Sequence, residues 1–446
     1  MGTTAVSVLE KRLAEQVGDY IEVAVTTAIN ADNVVVSTNL NSYDDGRDDY
    51  FIGWWCYITD KANIETSSYK VNRQVSDYAT ATGTLTIRGA VLIDDSTNLA
   101  TIRLHRYSRD LYINAINDAI REVFPTLHKR YDITELVTGN ILPNSHFRDW
   151  TSASYPDKWS VTNATAAAST TAGTYRGGGK SAKVTDSGSG DGYMYISSDT
   201  FPKLLDLMGQ QVSAYVWASP EVADDATIVI YTKQADGTAQ TLTSTTSNPA
   251  GEFTLLELED QTLNDDLVDV QIRFPISTAS KYVYFDHARV IGRNQREYLL
   301  PLDVANGKLS SVEVQTDTYS DRGCDDLLPR GWEDWNGWEI IDDGTDKFLD
   351  LGMLPIEERL IRLRGYAPLS AVSIYSDTIE IDGELLNRFI AYAKYKLFQA
   401  IEGPVAASDI GRYELQSAKA YQEYQRLSHL RMSVPKVAMR IRQYNK

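Results

Sequence analysis

Two periodicities divide the chain. Toward its ends, apolar residues recur every three to four positions, the spacing of one helix face; between them they alternate in short runs, the spacing of half-buried strands. The clearest helical stripe is Tyr112, Ile116, Ala119, Ile120, Val123 and Leu127, over Ser108–Phe124 and just beyond. Ser108 is placed to cap the first turn, Asp110 suits the positive end of the helix, and Pro125 predicts a stop. Ser7 and Glu10 read as a capping box for a shorter helix with Leu9, Leu13 and Val17 on one face and Gly18 as its end. Near the C-terminus, Glu384–Glu402 carries Leu386, Phe389, Ile390, Ala393, Leu397 and Ile401 in register, and Gly403-Pro404 closes it. Asp409–Leu430 carries Tyr413, Ala420, Tyr421, Tyr424 and Leu427, and the short connection predicts an antiparallel pair. The Ser108 helix is flanked by strand and turn patterns, so its stripe needs distant partners. The expectation is one bundle with Ile116, Ile120, Val123, Phe389, Leu397 and Tyr424 in its core.

Strand patterns fill the rest. Glu22–Thr27, Tyr50–Thr59, Thr84–Ile87 and Ala100–His105 are rich in β-branched and aromatic residues, separated by turn clusters such as Tyr43–Gly46 and Ala81–Gly83. From Thr138 to about Gly292 the composition shifts to Ser, Thr, Gly and Ala, with alternating runs at Tyr193–Ile196, Gln211–Trp217, Ala226–Tyr231, Val268–Phe274 and Tyr282–Asp286. Strands at this spacing without helices predict a β-sandwich. Strands resume at Ser311–Gln315, Trp338–Ile341, Lys347–Leu351 and Arg359–Arg364, with a hairpin turn at Asp342–Thr345. The expected class is α+β multidomain, a helical bundle hub with small antiparallel β domains and an inserted sandwich. Its divisions are an N-terminal helix (1–19), a small antiparallel β domain (20–107), the hub helix (108–137), the inserted sandwich (138–293), a second β region (294–383), the helix pair (384–430) and a basic tail (431–446).

Length and charge narrow the function. At 446 residues the chain exceeds one ordinary core. The formal charge of −18 argues against gripping a phosphate backbone over the whole surface. Arg431–Lys446 has five cationic and no acidic residues, so −18 less +5 leaves −23 on the remainder. That tail alternates cationic and apolar residues (Met432, Val434, Val437, Met439, Ile441), a pattern for an acidic protein groove as well as for a solvated terminus. Cys56 and Cys324 sit in unrelated segments, which argues against a disulfide framework. Glu10-Lys-Arg12 interrupts the first apolar run, so no signal peptide is expected, and no run approaches the roughly 20 apolar residues of a membrane span.

Catalytic and metal signatures are scarce. The five histidines, His105, His128, His146, His287 and His429, share no ligand spacing. Gly173–Ser181 is one residue too long for a phosphate loop and lies among strands. Asp186-Ser-Gly-Ser-Gly-Asp-Gly192 offers oxygens to calcium, but no later Glu completes a known loop, and a solvated turn is the favoured reading. Acid pairs such as Asp44-Asp45, Asp94-Asp95 and Asp265-Asp266 are not tied to a pocket. Exposed aromatics are candidates for stacking on the C–H faces of sugar rings, namely Trp150, Tyr155, Tyr175 and Tyr193, with Tyr195 beside them. Trp159 and Trp217, at or beside strands, read as core.

Gly53–Thr59, Asn114–Pro125 and the Ala- and Tyr-rich helices of Leu385–Leu430 resemble tailed-bacteriophage head–tail connector proteins, the adaptors beneath the portal, over residues 1–137 and 294–446. The resemblance implies a structural, non-enzymatic protein without cofactors. It implies a ring, typically of twelve subunits, assembled in the bacterial host cytoplasm and resident in the virion at the head–tail interface. Its partners would be the portal, a tail or neck protein below the ring, and genomic DNA passing the bore without specific binding. The tail would dock on the portal through Arg431, Met432, Val434, Pro435, Lys436, Arg440, Ile441 and Arg442. Asn140–Phe147, Trp150, Pro156–Trp159, Gly179–Val184 and Tyr284–Val290 separately resemble a carbohydrate-binding-module jelly roll. That implies glycan partners and a structural calcium, for which the sequence shows no ligand set. The alternative function is therefore a glycan- or receptor-binding tail protein in which the sandwich holds host or environmental carbohydrate.

Overall fold

The computed structural model describes residues 2–30, 32–59, 72–92, 100–188, 190–245, 248–293, 295–316, 331–356, 358–402 and 410–429. It divides into two compact units: residues 1–129 with 368–446, and residues 130–367. Five helices are described: α1 (Val6–Val17), α2 (Arg109–Val123), α3 (Leu302–Ala305), α4 (Gly383–Glu402) and α5 (Ile410–His429).

Strands make up 38% of the chain and helices 21%. This corrects the expected class, since the chain is mostly β and not a helical-bundle hub carrying β domains. The physical reason is that each helix buries one stripe. Of the four apolar cores among the described residues, three are formed chiefly by strands and their loops.

In the first unit, α2 starts as its sequence demands. Ser108 Oγ accepts from the Asp110 backbone N–H at 3.3 Å, and the helix ends at Val123, before Pro125. Its stripe packs in one core with Leu9 and Leu13 of α1 and Phe389, Ile390 and Leu397 of α4. Tyr112 is fully buried, and its hydroxyl donates to Asp19 at 2.6 Å. The capping box at Ser7 does not form. Thr4–Ala5 pairs with Thr378–Ile379, so α1 begins at Val6 with no side-chain cap, and Glu10 is buried instead of reaching back. On α5, Ala420 is buried, Tyr424 lies half-buried with its ring 4.7 Å from that of Tyr392, and Tyr421 is exposed. Seven antiparallel strands between Ile21 and His105 form one sheet. Val23 at one edge and Ile29 at the other share a core, so this sheet curls over itself.

The second unit holds a sandwich of two five-stranded antiparallel sheets. The front sheet runs Ser160–Thr162, Gly192–Ser197, Leu267–Ile276, Val229–Gln234, Ala239–Thr243. The back sheet runs Ala164–Ser169, Ser181–Asp186, Tyr282–Ile291, Gln211–Pro220, Thr254–Thr262. Trp159 stacks on Phe274 of the front sheet at 5.4 Å, and Phe274 on Phe285 of the back sheet at 5.2 Å. This ladder fixes the distance between the sheets; truncating Trp159, fully buried, would cost on the order of 3–5 kcal/mol. Asn140 bridges Ile291, so the two ends of the sandwich segment lie side by side. A three-stranded and a four-stranded sheet, built from Lys129–Val137 and the strands between Glu297 and Ala367, complete the unit.

Candidate functional site

Strict alternation along the front sheet sorts its side chains. Met194, Ile196, Ile230, Ile272 and Phe274 point into the core. Tyr193, Tyr195, Tyr231, Gln271 and Arg273 therefore point outward, and all five are half-buried. Antiparallel register places Tyr195 opposite Arg273 and Gln271 opposite Tyr231. The result is a cluster drawn from three neighbouring strands.

Arg273 sits at its centre. Its guanidinium carbon lies 4.0 Å from the Tyr231 ring centroid and 5.2 Å from that of Tyr193. Tyr193 and Tyr195 have centroids 5.5 Å apart. Arg273 Nε donates to Gln271 Oε1 at 2.9 Å, and Gln271 Nε2 donates to Asp269 Oδ2 at 2.7 Å. This chain of bonds locks the guanidinium plane. The terminal guanidinium nitrogens have no protein acceptor among the described residues. The face thus offers apolar ring surface flanking oriented N–H donors, the mixture that recognises a ligand with flat C–H faces and hydroxyl rims.

Of the aromatic candidates from sequence, the structure places Tyr193 and its neighbour Tyr195 on this face. Trp150 packs against the sandwich core and donates its indole N–H to the Phe147 carbonyl at 2.6 Å. Tyr155 is exposed in the loop before Trp159, and Tyr175 lies in the loop joining two back-sheet strands. Tyr231, Gln271 and Arg273 were missed, although counting by twos from the apolar positions of Ala226–Tyr231 and Val268–Phe274 puts all three outward. Trp159 and Trp217 are buried. The bundle residues Ile116, Ile120, Val123, Phe389 and Leu397 lie together in the helical core of the first unit, with Tyr424 at its margin. Arg431, Met432, Val434, Pro435, Lys436, Arg440, Ile441 and Arg442 lie outside the described residues.

The candidate oxygens for the calcium implied by the jelly-roll resemblance lie at the loop after Asp186. Asp186 is already saturated: its carboxylate accepts from the backbone N–H groups of Gly188, Gly190, Gly192 and Ser280 at 2.7–3.1 Å. Burial alone would raise this carboxyl, but the four donors more than offset it and bring it down to about 2. A cation would have to displace them. No group of three carboxylates able to share an ion occurs among the described residues. The glycine-rich Gly173–Ser181 leads into a strand, and its Lys180 Nζ donates to the Arg148 carbonyl at 3.0 Å, so no phosphate loop forms.

The first unit contains a cavity of about 360 Å³ lined by Tyr57, Arg103, Arg109 and Tyr375 among others. Of its two cations one has an ion partner, while Arg109 Nε and Nη2 are buried without a hydrogen-bond partner. Arg103 pairs with Glu22 at 3.2 Å, and Arg109 lies 3.9 Å from the Tyr375 ring. The buried Glu10 carboxyl is raised by desolvation against the pull of Tyr375, His105 and both arginines. The charged groups around this cavity are turned inward, and the outward-facing front sheet is the better candidate.

No protein-family model matches the chain, and no curated protein matches it. Among solved structures, it is similar to the C-terminal family 22 carbohydrate binding module of Clostridium thermocellum Xyn10B, at 16% identity and a TM-score of 0.28, covering 34% of this chain and 92% of that one. It is similar to TmCBM61, solved with β-1,4-galactotriose, at 11% identity and a TM-score of 0.25, covering 34% and 99%. It is also similar to the enzymatically active domain of bacteriophage CBA120 tailspike protein 4, at 11% identity and a TM-score of 0.27, covering 35% and 22%. The neighbours are thus largely carbohydrate-binding-module jelly rolls over about a third of the chain. Nothing in these comparisons supports the head–tail connector. At such scores the ligand has to be argued from the residues themselves.

Proposed function

We propose that the outer face of the front sheet binds carbohydrate, and that the protein works through this face as a glycan-binding module without hydrolysing its ligand. The observation that carries the reading is Arg273, held between the Tyr193 and Tyr231 rings and oriented by Gln271. Tyrosine ring faces would stack on pyranose C–H surfaces, and the terminal guanidinium nitrogens would donate to paired sugar hydroxyls. A neutral oligosaccharide suits the face better than a polyanion, because the chain carries −18 overall. Asp269, the acid tied into this cluster, is held by Gln271 and by Ser198 Oγ at 3.2 Å, which suits a positioning role. Residence in a virion is compatible with such a face, which would then hold host or environmental polysaccharide. The portal, neck-protein, DNA-bore and ring-forming roles rest on the resemblance of the flanks alone.

A glycan array probed with the full chain and with Tyr193→Ala/Tyr231→Ala tests the reading. Wild type is expected to retain one family of linear oligosaccharides, and the double variant to lose it while keeping its melting temperature. Retention of no glycan, or equal retention by the folded double variant, would overturn the proposal.

A further inference from the structure

On the back sheet a different set of side chains converges. One ligand-capable atom from each of His146, Asp286 and His287 lies within 4.8 Å of the other two, and the two imidazoles meet edge to face with centroids 4.0 Å apart. His146 belongs to the segment that leads into the sandwich, while Asp286 and His287 sit on Tyr282–Ile291. The register of that strand against Gln211–Pro220 shifts at Tyr215/Trp217, and His287 has φ of 50°, in the left-handed region. The irregularity re-aims consecutive side chains, which is how Asp286 and His287 come to share one crevice. Gly177 closes it: a Cβ there would lie 2.7 Å from His287 Cε1.

We propose that His146, Asp286 and His287 hold a divalent transition-metal ion, zinc first among them. His146 is 7% exposed, and its Nδ1 is buried without a hydrogen-bond partner. A buried imidazole nitrogen with no protein partner, facing a carboxylate and a second imidazole, is free to ligate a metal ion. A lone pair sealed from water is otherwise a cost with no return. Asp286 is also held in place. Its carboxylate accepts from the backbone N–H groups of Arg176 at 2.7 Å, Gly177 at 3.2 Å and His287 at 2.8 Å, which leaves Oδ1 a lone pair.

Two nitrogens and one carboxylate select zinc, cobalt, nickel or copper over calcium and magnesium, which take oxygen ligands. Three protein ligands leave a fourth position for water, and His146 also lines a cavity of about 200 Å³. The surrounding charges are balanced. Glu135 pairs with Arg148 at 2.7 Å, and Arg289 is the other guanidinium near His146. Affinity should therefore fall below that of a thiolate site.

The test uses the untagged full chain stripped with chelator. Cobalt(II) titration should produce visible ligand-field absorption saturating at one equivalent, zinc should displace it, and zinc should raise the melting temperature. His287→Gln, at the margin of the crevice, should keep the metal-free melting temperature and weaken cobalt at least about tenfold. His146→Gln should do the same if it folds, and His287→Gln decides the matter if it does not. Absence of cobalt absorption, binding that survives in His287→Gln, or stabilisation by calcium but not zinc would each overturn the site.

Discussion

Asp186 and Asp286 are both buried aspartates on back-sheet strands, yet their surroundings give them opposite character. The loop after Asp186 curls its glycine amides onto the carboxylate, which is brought down to about 2 against its burial. Asp286 accepts three backbone donors, but burial outweighs them and pushes it up to about 6. The loop whose residues spell out a cation site is a closed structural device. The plainer Phe285-Asp286-His287 is the place with an unanswered lone pair beside it. A carboxylate's role follows from how many donors converge on it, and residue type alone does not reveal that.

The largest expected effect lies on the Asp186 side. Asp186→Ala leaves four backbone N–H groups short of an acceptor and should destabilise the sandwich by about 2–4 kcal/mol in urea unfolding. Asp286→Asn keeps an amide oxygen for the Arg176 and Gly177 donors, loses the acceptor for the His287 N–H, and should cost about 1 kcal/mol without metal. Similar losses in the two variants would break the comparison. Acid sharpens it further. A carboxyl held below its usual 3.8 in the folded state binds protons more weakly there than in the unfolded chain. The stability it contributes is therefore present above that value and lost as pH falls toward about 2. Amide exchange, corrected for intrinsic rate, should speed up at Gly188, Gly190 and Gly192 over that window, before the rest of the sandwich opens.

On the front face the expected changes concern binding and not folding. Tyr231→Ala should weaken glycan affinity about tenfold, or about 1.4 kcal/mol, with the melting temperature nearly unchanged. The smallest effect is expected from Tyr155→Ala and Tyr175→Ala, which lie off the front sheet and should alter affinity less than about twofold by calorimetry. A larger loss there would move the binding face away from Arg273.

What the sequence made legible was whatever a single segment decides. The stripe from Tyr112 to Leu127, the cap at Ser108 and the stop at Gly18 are local, and each is present. Glu10 departs because pairing of Thr4–Ala5 with Thr378–Ile379, 374 residues on, shifts the helix start. The weight of β structure was underestimated because short two-period runs signal weakly one at a time and count only when sheets assemble. The front-face cluster needs register between three strands, so Arg273 could be placed outward but not between two tyrosines. His146 and His287 stand 141 positions apart, and they meet because the 140–145 segment bonds along the last back-sheet strand, through Asn140 with Ile291 and the Ser145 carbonyl with the Ala288 N–H.

The central claim is that Arg273 organises a carbohydrate-binding face. Isothermal titration of the strongest array glycan into the wild-type chain and into Arg273→Ala tests it most directly. The account predicts a dissociation constant at least about tenfold weaker for a variant that still melts cooperatively. Equal affinity in the two proteins would contradict it.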